Sequence, residues 1–253
     1  MRIALNYIVY NFRLILYKIY CKIFKKKKIL SRTACLGTDV LKIIFAKFQQ
    51  INQQKVRVDQ YVKLINGAPK VNADEIRKHL NRTDIFPLIQ QQQYLPWLKN
   101  NKNYKYIIMD SFSELTDQEF VHIKDGWSFY CHYNDLIHSE DFKNEFLCNG
   151  LLGIEKIEFY YDLYFDNIFK KFPNKKVIFI HFPTCLDKRQ LYKDRGEVIK
   201  IAIEKLKGKY PNIISISIPD QFVLQHENDD FPYHYGKETY MHFVNELNKQ
   251  ISK

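Results

Sequence analysis

The 253-residue chain has only eight glycines, and neither GxGxxG nor GxxxxGK[ST] occurs in it. Backbone cradles for dinucleotide or nucleotide phosphates are therefore set aside. Its five cysteines are odd in number and contain no CxxC, which argues against a disulfide framework or a zinc knuckle. Free thiols suit a reducing, cytoplasmic compartment. His122, His132 and His138 show no ligand spacing, and no metal site is expected. No DxD motif of a metal-dependent glycosyltransferase is present. In the apolar N-terminal part the longest uncharged stretch, residues 3–12, is much too short to span a bilayer. It also lacks the small-residue cleavage site of a signal peptide.

What is present is an apolar, aromatic chain (46% hydrophobic, 15% aromatic) with a net charge of +11. That length supports one α/β domain with a sizeable core. Basicity favours anionic partners. The one dense cluster is Lys25–Lys28, directly after an apolar stretch; elsewhere lysines alternate with acids, and no nucleic-acid module is recognisable. On a helix, Asn11, Lys18, Lys22 and Lys25 share one face while aliphatic and aromatic residues cover the rest. Residues 1–28 thus read as a basic amphipathic segment that lies on an anionic membrane surface, or else packs on the domain itself or on a second copy.

The body, residues 29–253, reads as the α/β domain. A short strand around Ile29 ends in a turn at Cys35, followed by a helix over about 40–50. Residues 51–100 are polar helices and loops. A strand at 104–109 ends at Asp110-Ser111, where Ser111/Glu114 and Thr116/Glu119 have capping-box spacing. Residues 120–135 read as irregular strands and loops, and 149–171 should hold an aromatic-rich helix. The last part is clearest. KVIFIHF (176–182) is a buried strand, 190–207 has helical periodicity with Gly208 placed to stop it, IISISI (213–218) is a second strand, and Tyr240 to Ile251 mark a closing helix. Strand, helix, strand at this spacing implies a parallel pair with a right-handed crossover. Reactive groups in such sheets collect beyond the carboxyl ends of the strands. That rule points to Cys35, Asp110-Ser111, His181 and the loop from Asp220 to His234.

Among these, an acid and histidine in the last loop suit nucleophilic catalysis, the histidine as base and the acid as its orienter. Cys35 at a helix N-terminus would feel a field that favours thiolate, with backbone N–H groups at hand for an oxyanion. The plain alternatives are a capping acid with a loop histidine, a buried core thiol, and a His181 that satisfies a backbone group.

The turn Cys35-Leu36-Gly37-Thr38-Asp39, the strand end Asp110-Ser111 and the Asp-rich loop with His234 together resemble the SGNH/GDSL hydrolase superfamily. The nearest likeness is to its cysteine-containing branch among bacterial capsule and surface-polysaccharide biosynthesis proteins. The resemblance implies a three-layer α/β/α fold with a mainly parallel, flavodoxin-like sheet, here preceded by an N-terminal amphipathic helix. It also implies Cys35 as nucleophile, His234 as base, and Asp230 or Asp229 as orienting acid, with Asp230 the first choice. Leu36, Asp39, Ser111 and His181 would stand near the oxyanion or substrate, and Thr38 is a rival nucleophile. The implied activity is acyl or acetyl transfer, or ester hydrolysis, on a glycan or lipid-linked glycan at the cytoplasmic face of the inner membrane. No cofactor is implied beyond an acyl-CoA donor. The turn reads Thr-Ala-Cys where the branch has Gly-Ser-Cys, and no Gly-x-Asn-Asp block occurs; these departures also admit a catalytically silent scaffold or glycan-binding protein of the same fold.

Overall fold

The computed structural model describes residues 28–45, 48–93 and 104–251; the amphipathic segment ahead of Lys28 lies outside them. Along the chain the strands are β1 (Lys28–Arg32), β2 (Gln49–Asn52), β3 (Tyr104–Asp110), β4 (Gln118–His122), β5 (Ser128–Cys131), β6 (Phe146–Gly150), β7 (Val177–Ile180) and β8 (Ile213–Ile216). The α-helices are α1 (Cys35–Ile44), α2 (Val58–Ile65), α3 (Ala73–Ile76), α4 (Phe86–Gln91), α5 (Phe112–Thr116), α6 (Glu140–Glu145), α7 (Ile157–Lys171), α8 (Gln190–Lys209) and α9 (Lys237–Ile251).

Five strands form one sheet in the order β2-β1-β3-β7-β8, every neighbouring pair parallel. With β4–β6 set aside this is the flavodoxin-like order 2-1-3-4-5. The central strands are apolar on both faces because helices cover both: Ile107, Ile108, Met109, Val177, Ile178 and Phe179 are all fully buried. α1 packs with α9, while α7 packs with both α2 and α8, giving the two outer layers. The α/β reading and the parallel crossover of β7 and β8 are what the structure has.

Several local expectations change. The helix after the first turn begins at Cys35 and ends at Ile44; Gln49–Asn52 is the edge strand β2, pairing with β1 from Lys28↔Gln49 to Ser31↔Asn52. Its polar sequence, QQIN, hides it. Gly208 lies inside α8. Ser111 caps α5 by position only, and the Phe112 N–H is taken by Asp110 Oδ1 at 3.2 Å.

Residues 118–150 form an antiparallel sheet, β5-β4-β6, over a second apolar core with Ile76, Phe86, Ile89, Phe120, Phe129 and Phe142. The seam between this core and the main one is ionic. Lys55, the only described non-glycine residue with positive φ (+60°), bonds Asp135 at 2.9 Å and Asp117 at 3.3 Å. Arg57 forks onto Asp59 at 2.7 and 2.8 Å and donates to the carbonyls of Asp117 and Gly150. All five charged groups are buried, as such groups can be only when paired.

Candidate active site

The strand order reverses between β1 and β3, and the crevice beyond their carboxyl ends is where open α/β sheets bind ligands. β1 delivers Cys35 to that point and β3 delivers Asp110. The turn between β1 and α1 is tied down from β2. Asn52 accepts the Thr33 N–H at 2.9 Å and donates to the Thr33 carbonyl at 2.8 Å and to Thr38 Oγ1 at 3.3 Å. Thr38 is thereby part of the scaffold of the turn. From the other side the Asp110 carboxylate accepts the Ala34 N–H at 2.7 Å. Beneath both, Arg32 reaches Glu114 at 2.6 Å and the Val56 carbonyl at 3.0 Å.

Gly37 is required by this close approach. A Cβ there would fall 2.6 Å from Cβ and Cγ2 of Thr33 and 2.8 Å from Oδ2 of Asp110. Thr33 is held by Asn52 and cannot yield. Gly37→Ala should therefore cost about 1–3 kcal/mol of overpacking, more than the roughly 1 kcal/mol that alanine gains in helix propensity. A lowered urea midpoint together with a displaced Cys35 is the expected outcome; an unchanged or raised midpoint would contradict it.

The first intrahelical bond of α1 runs from Thr38 N to Ala34 O at 2.9 Å, leaving the N–H groups of Cys35, Leu36 and Gly37 without partners within the helix. The Leu36 and Cys35 amides do face the sulfur and lower its pKa, yet burial raises it more and the Asp110 carboxylate adds to the rise, so the thiol is pushed up to about 12. The expected thiolate is thus overturned: a field from one helix turn is weaker than desolvation plus a buried acid. Asp110 is itself raised, to about 7, by its burial.

The other half of the site comes from the loop between β8 and α9. Cys35 Sγ lies 3.8 Å from the Tyr233 carbonyl oxygen, one residue before His234. Ends of the chain that are far apart in sequence therefore meet at one sheet edge. His234 Nδ1 bonds Asp229 Oδ2, and that bond, with the Phe231 N–H, holds the Asp229 carboxyl below its usual range. The acid bonded to His234 is Asp229, not the expected Asp230, which is exposed. A short turn in which Asp229 accepts the Phe231 N–H at 2.8 Å sets which acid faces the ring. The imidazole is half-exposed.

Three other expected site residues have partners of their own. Ser111 Oγ accepts the Phe182 N–H at 3.0 Å and so joins the ends of β3 and β7. His181 Nε2 shares a 2.9 Å bond with Ser215 Oγ, and burial lowers its pKa to about 4, keeping it neutral. Asp39, part-exposed on α1, pairs with Lys42 at 2.7 Å, and its charge adds to the rise of the Cys35 pKa. The Leu36 side chain is core, and only its backbone faces the Cys35 sulfur. Away from the site, His122 stands between Asp125 (3.1 Å from Nδ1) and Glu75 (3.5 Å from Nε2). This is the one described group with metal-ligand atoms close together, but its two acids address opposite ring nitrogens and Nδ1 also accepts the Asp125 N–H. Asn52, Arg32 and Tyr233 carry no local signal in the sequence beyond the polar Asn52 at the end of an edge strand, and Glu114, expected in a capping box with Ser111, turns its carboxylate to Arg32, the Val58 N–H and Tyr161 instead.

A 2-1-3-4-5 parallel sheet between two helical layers makes this a three-layer α/β/α fold, with a cysteine in the turn after β1 and an Asp–His pair ahead of the last helix. Solved structures with a similar chain path include a protein described as a GDSL-like lipase from Bacteroides ovatus (12% identity, TM-score 0.44, covering 90% of this chain and 52% of that one). A GDSL-like lipase from Bacteroides thetaiotaomicron (9%, 0.43, 90% and 89%) and an acetyl xylan esterase from Butyrivibrio proteoclasticus (14%, 0.43, 89% and 63%) are also similar. The chain spans about half the length of the first of these. No family model and no curated protein sequence matches it.

Proposed function

We propose that this protein is an acyltransferase or esterase acting on a bacterial surface glycan or its lipid-linked precursor, with Cys35 as nucleophile, His234 as base and Asp229 as its orienter. The observation that carries the reading is the approach of Cys35 Sγ to the backbone of the loop that holds the Asp229–His234 pair. Because the thiol is protonated at rest, its proton must leave during attack. His234 Nε2 takes it as sulfur bonds the acyl carbonyl carbon, and the Leu36 N–H stands where the oxyanion forms. Collapse expels the leaving group, which takes the proton from His234. An acceptor hydroxyl, or water, then gives its proton to His234 and attacks the thioester, restoring the thiol. Asp229 holds the ring in the tautomer that presents Nε2 and steadies the imidazolium. An acyl-CoA is a donor of suitable chemistry, and residues 1–28 would hold the domain at the cytoplasmic face of the membrane, where lipid-linked precursors are assembled.

The test is incubation with acetyl-CoA or a p-nitrophenyl ester, followed by peptide mass spectrometry. An acyl group on Cys35 supports the reading; its absence from every condition, with no turnover, ends it. His234→Ala should lower the acylation rate by about 10²–10⁴-fold, whereas Asp230→Asn should leave it nearly unchanged.

A second reading, a catalytically silent glycan-binding protein, is favoured by the same raised thiol pKa and by the sulfur's bond to a carbonyl. Glycan binding that survives Cys35→Ala, with no acyl-enzyme, would select it.

A further inference from the structure

The parallel topology gives the domain two unlike edges. Strands start and helices end at the amino edge; the site occupies the other. Lys28 opens β1 level with Tyr104, Lys105 follows on β3, and the pair Val177↔Ile107 sets Lys175 and Lys176 just ahead of β7, the next strand. At about 4.8 Å between strands, Lys28, Lys105, Lys175 and Lys176 crowd one rim, with Lys171 at the end of α7 beside them. None of these five has an ion pair among the described residues, whereas the lysines ending other helices at this rim, Lys207, Lys209 and Lys249, each face an acid. Lys105 and Lys176 are exposed. Lys105 Nζ also lies 5.1 Å over the half-buried Tyr106 ring, and Ile43, near the end of α1, is half-exposed. At the site edge the loop after β8 and the start of α9 carry Asp220, Glu227, Asp229, Asp230 and Glu238.

We propose that the amino edge of the sheet, through Lys28, Lys105, Lys171, Lys175 and Lys176, is a docking face for an anionic lipid surface, which holds the site edge turned away from the bilayer. Charge complementarity gives the occupant its sign. Its class follows from the chain: Lys25–Lys28 leads into β1 at this same rim, directly after residues 3–24 with their mixture of aliphatic, aromatic and basic side chains, so apolar burial and phosphate attraction would act side by side. Substrate would then enter from the aqueous side, as a soluble donor or a head group extending well above the membrane. The inference stands independently of the acyl-transfer reading, because it is read out by binding and not by turnover.

The experiment is co-sedimentation of the full chain with vesicles of phosphatidylglycerol and phosphatidylcholine, against phosphatidylcholine alone. A variant with Lys105→Glu, Lys175→Glu and Lys176→Glu should bind anionic vesicles on the order of 100-fold more weakly. Lys188→Glu, Lys193→Glu and Lys237→Glu, the same charge change at the site edge, should cost less than a tenth of that. Equal losses in both variants, or none in the first, overturn the proposal, as would tighter binding of an oligonucleotide by the same lysines. Lysine acetylation of the unaltered protein supplies a readout that does not depend on a variant folding. Lys105 and Lys176 should be protected on anionic vesicles while Lys188 and Lys237 stay reactive; the reverse pattern, or no protection, refutes the docking face.

Discussion

Cys35→Ala should reduce acyl transfer on the order of 10³-fold or more, with the fold intact, because the substitution removes the atom to which the acyl group would be attached. The half-buried thiol makes few bonds, and the turn around it is held by Asn52 and Asp110, not by sulfur. The same variant that kept full activity would remove Cys35 from the mechanism. A companion measurement needs no substrate. With the thiol pushed from an ordinary 9.0 up to about 12, roughly a thousandfold less thiolate exists near neutral pH than at an unperturbed cysteine. Iodoacetamide should therefore label the exposed Cys148 long before Cys35, and the Cys35 rate should keep rising with pH past 9. Comparable labelling of the two at pH 7.5 would contradict the raised value. Protonation of Asp110, whose pKa is about 7, removes a nearby negative charge, so the cost of forming thiolate falls below that pH and grows above it.

The largest stability effect is expected at Glu114, which is fully buried under the site. Its carboxylate meets Arg32 at 2.6 Å, the Val58 N–H at 2.8 Å and the Tyr161 hydroxyl at 2.9 Å. Glu114→Ala strands the guanidinium in the core and leaves two donors unpaired, for a loss of about 3–5 kcal/mol in denaturant unfolding. Adding Arg32→Met should return part of that loss, because the buried charge goes with it. A single variant within about 1 kcal/mol of the parent, or a double variant less stable than the single, would show that the pair does not work this way.

How much of this was legible depended on where the determining contacts lie. β3, β7 and β8 are mainly apolar runs and α8 and α9 have clear helical periods, so sequence alone places them. β2 is polar and short, and only its pairing with β1 makes it a strand. The β5-β4-β6 sheet rests on partners brought together by Lys55, Arg57 and Gln92, none of which has a local pattern; Gln92, for example, holds Tyr130 by both its N–H and its carbonyl. At the site, Cys35 and His234 follow from the rule about strand ends. The choice between Asp229 and Asp230 is made by a turn two residues long. Ser111 and His181 sit where the same rule points, but the ends of buried strands also carry backbone and hydroxyl groups that need partners, and these two residues meet that need. The thiol's protonation was beyond reach because it follows first from burial in the folded chain, and then from an acid on a different strand.

The ionic seam beneath the second sheet bears on cooperativity. Two apolar cores joined through paired charges can part without exposing much hydrocarbon to water, since Lys55, Arg57, Asp59, Asp117 and Asp135 regain hydration as they separate. The 118–150 region should accordingly exchange its amide hydrogens as a unit of its own, ahead of the parallel sheet, and its opening would widen the approach to the crevice without melting the strands that hold Cys35 in place.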